Sequence, residues 1–180
     1  MRLNGIRQIA TLAAAVTLAG LAALAQQVFV PVSVAELCGM SDVIVDGTVA
    51  RIGPARSNAT GKLETPVEIA VTTVLKGPAG LKTIELIEPG GKQPATSQGP
   101  GRDEVYFAQV IPGKGERYVL FLKRSLAGSY VALGGLHGHY RIADGRIVVH
   151  PAMPRILRTG FAGAPVEMML NAVRLELAGQ

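Results

Sequence analysis

Tryptophan is absent from this chain, phenylalanine and tyrosine occur four times each, and a single cysteine stands among 180 residues. One cysteine cannot close a disulfide within its own chain, so the fold must be held by packing. So few aromatic residues exclude a surface that stacks successive bases of a single strand. Charge is also sparse: 18 Lys and Arg face 13 Asp and Glu, and Lys123-Arg124 is the only adjacent basic pair. A stripe that tracks phosphates is therefore absent, and no nucleic-acid partner is expected. No HExxH, paired-cysteine, GxSxG or GxxxxGK spacing occurs either.

What the chain does have begins with one apolar run. Arg2 and Arg7 form a basic start, residues 9–24 carry no charge, and "ALA" at Ala23 to Ala25 places small residues where an export peptidase cuts. We read 1–25 as an export signal and 26–180 as one domain, secreted or periplasmic, with no membrane span once the signal is cleaved. An uncleaved anchor is the competing reading. A lipidated cysteine fits poorly, because Cys38 lies well past the run and follows Glu36 and Leu37. Without Arg2 and Arg7, sixteen basic residues face thirteen acidic ones, a net charge of about +3.

Beyond the signal the pattern is mostly that of strands. "VSVAELCGMS" predicts a short helix, with Ser33 and Glu36 as a capping box and Gly39 as its stop. "DVIVDGTVARI" predicts a long strand with a bulge or bend at Gly47. In "VEIAVTTVLKG", Val67, Ile69, Val71, Thr73 and Leu75 share one face, and "LKTIELIEPGG" follows as its hairpin partner. Residues 89–102, rich in glycine and proline, predict a long irregular loop. "VYFAQV", "ERYVLFLKR" and "SYVALGG" predict further strands, and "HYRIADGRIVVH" a hairpin about Asp144-Gly145. Only the tail has a helical period: Val166, Met169, Leu170, Val173 and Leu177 fall on one face of a helix over about 164–178. The pattern alone leaves barrel and sandwich open.

The order of "ELCGMSDVIVDGTV", "VTTVLKG" and "GERYVLFLK" resembles the netrin-like modules and tissue inhibitors of metalloproteinases. It also resembles a group of exported bacterial proteins to which no activity is assigned. The resemblance covers roughly 32–123. It implies a small antiparallel barrel of the oligonucleotide/oligosaccharide-binding type, with a short N-terminal helix and a C-terminal helix. It does not carry inhibition of metalloproteinases with it. That family holds the protease zinc through a cysteine at the mature N-terminus, whereas cleavage here leaves Gln26. Cys38 matches a cysteine that the family uses in a disulfide, and its partner is missing, so the resemblance places Cys38 where helix meets barrel, filled by packing. Its apolar neighbours Leu37 and Met40 agree with a buried thiol; an intermolecular disulfide and a nucleophile are the other readings.

The candidate chemistry is confined to three histidines. In "GGLHGHYRI", His137 and His139 are two residues apart, so in a strand both project to one face, and His150 ends the next strand. These three can converge on a zinc. Asp103-Glu104 read as a solvated loop pair. The expectation is an exported, non-enzymatic binding or interaction module without a cofactor. Its loops, chiefly Ala55 to Glu64 and Pro89 to Arg102, meet a protein or envelope component. The alternative is a metal-dependent hydrolase or metal-binding protein using His137, His139 and His150; a groove for nucleic acid or glycan is a third reading that rests on fold alone.

Overall fold

The structure is a computed structural model, and it describes residues 33–95, 100–106, 110–150 and 160–179. The expected export signal at 1–25 lies outside the described residues, as do 107–109 of the expected strand "VYFAQV". Helix α1 spans Val34–Met40. Its capping box forms as the sequence predicts: Glu36 N donates to Ser33 Oγ at 3.2 Å, and Ser33 N donates to Glu36 Oε2 at 2.7 Å. Gly39 does not stop it. The helix ends at Ser41, whose hydroxyl donates to Leu37 O at 2.6 Å and satisfies a last-turn carbonyl.

Strands β1 (Val43–Ile52), β2 (Arg56–Ser57), β3 (Leu63–Lys76) and β4 (Thr83–Pro89) follow. Next come the short pair β5 (Gly91–Gln93) and β6 (Arg102–Glu104), then β7 (Arg117–Arg124) and β8 (Tyr130–Ala132). A single 3-10 turn, Gly135–Gly138, leads into β9 (His139–Ala143) and β10 (Arg146–Val148), and helix α2 spans Val166–Ala178. The strands pair in the order β1-β3-β4-β8-β7, and β7 returns to β1, closing a five-stranded barrel. Its junctions are antiparallel except for β4 against β8, which run parallel with Leu86 opposite Tyr130. This is the barrel of the oligonucleotide/oligosaccharide-binding type, with a helix near each end of the described chain. β9 and β10 extend the sheet beyond β7.

Closure requires one strand to coil, and the bend is where the glycine lies. The β1–β3 register slips between Asp46 and Gly47. A Cβ on Gly47 would sit 2.6 Å from Ile69 Cγ2 and 2.8 Å from Ala70 O, so only glycine allows this approach. The alternation of β3 holds from Leu63 to Val71 and then changes face. Val74 packs with the barrel interior and Leu75 with the outer layer, so Leu75 does not share the face of Val67 as its spacing predicts. The slip between Asp46 and Gly47, which leaves Thr72 without an opposite residue between Val71 and Thr73, accounts for the change.

Two apolar layers result. The barrel interior holds Val45, Val67, Ile69, Leu86 and Leu120 among others. On the outer face of β1, β7, β9 and β10, residues such as Ile44, Phe121 and Ile147 pack under α1 and α2 through Leu37, Met169 and Val173. Cys38 is fully buried in this second layer and free, and burial pushes its thiol pKa up. Two further expectations change. The irregular stretch after Pro89 contains a two-stranded ladder, β5 with β6, and Asp103 and Glu104 belong to it rather than to a solvated loop. Of the strand predicted at "VYFAQV", Val105 and Tyr106 lie outside any strand, the ladder ending at Glu104. Among the described residues no helix is long and apolar enough to cross a membrane.

Candidate functional site

The inward positions of β4 are Ile84, Leu86 and Glu88. The last of these puts a carboxylate where two aliphatic side chains precede it, with only 4% of its side chain exposed. Its charge is met by His139, which starts β9 opposite Leu120 and so faces the same interior. Nε2 of His139 lies 2.7 Å from Glu88 Oε1 and Nδ1 lies 2.8 Å from Gly135 O. Both neighbours are acceptors, so the ring donates from both nitrogens. Burial lowers the imidazole pKa, yet the Glu88 carboxylate and the Gly135 carbonyl outweigh it, and the net direction is upward.

Tyr118 stands edge-on to the ring at 6.2 Å between centroids and 83° between planes. Its hydroxyl donates to Glu116 Oε2 at 2.6 Å; burial and that carboxylate both push its pKa up. Glu116 in turn accepts from Arg141 Nε at 2.9 Å and from Gly113 N at 2.7 Å. The polar groups thus run from the barrel interior to the surface.

Glu88 also lines a cleft of about 460 Å3. Leu63, Ile87, Pro89, Val131 and Ala132 give it apolar walls, Asn58, Lys62 and Glu64 give it a polar rim, and Tyr106 closes one side. The surrounding chain is fastened down. Asn58 Oδ1 accepts from Thr60 N at 3.0 Å and Lys62 N at 3.1 Å, which sets the turn before β3. Glu104 Oε2 accepts from Leu63 N and from Tyr106 Oη, each at 2.8 Å, and these two bonds, the amide first, hold its pKa down. Lys62 Nζ lies 6.0 Å from the centroid of the Tyr106 ring. The chain leaves β4 through Gly90 and Gly91, both at positive φ, and Thr65 Oγ1 donates to Gly90 O at 2.8 Å. The cleft therefore offers a ligand an apolar wall and a charged rim of both signs, with the nearly buried Glu88 among its lining residues.

Local structure sets His137 apart from the other two histidines. His137 lies in the 3-10 turn rather than in a strand, so it does not alternate with His139; it is buried, and burial lowers its pKa. His139 and His150 line one small hollow of about 60 Å3 with Tyr118 and Arg141. Among the described residues no three His, Cys, Asp or Glu side chains are grouped to hold a metal ion. Glu88 was missed in the sequence although its signal is there: the alternation of Ile84 and Leu86, extended by two, points it inward. Asn58 falls in the loop 55–64 that composition marked, whereas Tyr106 carries no comparable signal. No protein-family model and no curated protein matches the chain.

Proposed function

We propose that the chain is an exported binding module of netrin-like type that recognises a protein or envelope component through the cleft, without catalysis. Export is supported by the basic start, apolar run and "ALA" site, and the netrin-like assignment by the serial order of "ELCGMSDVIVDGTV", "VTTVLKG" and "GERYVLFLK". One observation carries the recognition surface. The loop part of 55–64 contributes Asn58 and Lys62, and the adjoining strand residues Leu63, Glu64 and Pro89 complete one concavity beside β8. Concave, mainly apolar sites with a few convergent polar groups are where proteins bind ligands.

A photocrosslinking residue at position 62, introduced into the protein in its native compartment, is expected to trap the partner. The same residue at position 82, an exposed lysine outside the cleft lining, is expected not to. Equal trapping at 62 and 82 would overturn the assignment of the cleft.

A further inference from the structure

We infer that the cleft receives one aromatic side chain of a protein partner that ends in a neutral hydrogen-bond donor, tyrosine or tryptophan, and that Glu88 Oε2 is its acceptor. The inference rests on the cleft being the recognition surface and specifies what enters it.

Glu88 is almost wholly buried, and its single hydrogen bond among the described residues uses Oε1. Oε2 is left with acceptor capacity in a residue that lines the cleft. A buried carboxylate oxygen without a donor is costly, so a donor delivered by a ligand is rewarded there more than on an open surface. A cationic donor is the wrong complement. His139 already donates to the same carboxylate, and a second positive group would meet an imidazolium with only one carboxylate between them. A neutral O–H or N–H adds the bond without that repulsion. The rest of such a side chain must be apolar, since Leu63, Ile87, Pro89, Val131 and Ala132 form the walls. Tyrosine and tryptophan meet both demands, and they are the residues that anchor protein interfaces in desolvated pockets. Lys62 and Glu64 on the rim then face the partner's polar surroundings.

The test compares N-acetyltyrosinamide with N-acetylphenylalaninamide, which differ by one hydroxyl, titrated into the full chain and followed through the NMR signals of Ile87 and Val131. The tyrosine amide is expected to bind about tenfold more tightly. The preference should vanish in the paired substitution Glu88→Leu with His139→Leu, and Val131→Trp, which fills the mouth, should weaken both probes. Equal affinity in the unmodified protein overturns the donor pairing while leaving the cleft as recognition surface, which the crosslinking comparison decides separately. A preference that survives the paired substitution, or no response of Ile87 and Val131 to either probe, also overturns it. Should the paired variant not fold, the comparison in the unmodified protein and in Val131→Trp still decides.

Discussion

A carboxylate and an imidazole with side chains only 4% and 2% exposed are stable together and costly apart. His139→Ala leaves Glu88 buried without its main partner and is expected to destabilise the fold by about 3 to 5 kcal/mol. Replacing both by leucine removes the desolvation cost along with the attraction and is expected to change stability far less. Urea denaturation of the single and double variants checks the contrast; equal losses would show that the pair is not coupled. The sign of the pH dependence follows from the raised pKa of His139. A group whose pKa is higher when folded stabilises fully below its unfolded value, about 6.5, and that contribution is lost as pH rises through the folded value. The groups facing the ring are Glu88, the Gly135 carbonyl and the edge of Tyr118. The melting temperature should therefore fall as pH rises above about 6.5 and through the raised folded value, and the double leucine variant should lose that component. Cys38 takes no part in this chemistry; it packs under the helices.

At the scale of elements, the long strands were legible because each shows its period over enough residues. β1 carries its bulge at Gly47, β9 and β10 turn at Asp144 and Gly145, and α2 buries Val166, Met169, Leu170 and Val173 as its spacing predicts. What escaped was short or nonlocal. The β5–β6 ladder is three residues a side and sits in a stretch whose glycines and prolines read as irregular. The parallel contact of β4 with β8 rests on one pair, Leu86 and Tyr130, and no local pattern announces a pairing between distant segments. His137 was misplaced because a 3-10 turn interrupts the strand that "GGLHGHYRI" suggests, with Gly134 and Gly135 both at positive φ. The turn out of β4 is one place where an added methyl group would not fit. At Gly91, φ is 128°, and a Cβ would lie 2.2 Å from Thr65 Oγ1 and 2.9 Å from Ala55 Cβ. Gly91→Ala should cost about 2 to 4 kcal/mol, whereas Gly80→Ala, with φ at 78° and open space around it, should cost only about 1 kcal/mol. Denaturant midpoints of the two variants test this; equal midpoints would contradict the close packing at the barrel end.

At the scale of the described domain, the division of labour is between two apolar layers and one cleft. The interior layer and the layer beneath α1 and α2 hold the barrel, and ion pairs such as Arg51 with Glu68 and Arg56 with Glu64 link neighbouring strands at its surface. The cleft differs because a nearly buried carboxylate with unused acceptor capacity lines it and its polar rim comes from one stretch, Asn58, Lys62 and Glu64. Once the partner trapped from position 62 is in hand, its affinity for two surface variants tests the account most directly. Val131→Arg places a charge at the mouth of the cleft, and Leu175→Arg places one on the outer face of α2, where Leu175 is 75% exposed. The account predicts that Val131→Arg weakens binding by about tenfold or more while Leu175→Arg leaves it unchanged. Undiminished binding by Val131→Arg, or loss with Leu175→Arg alone, would contradict it.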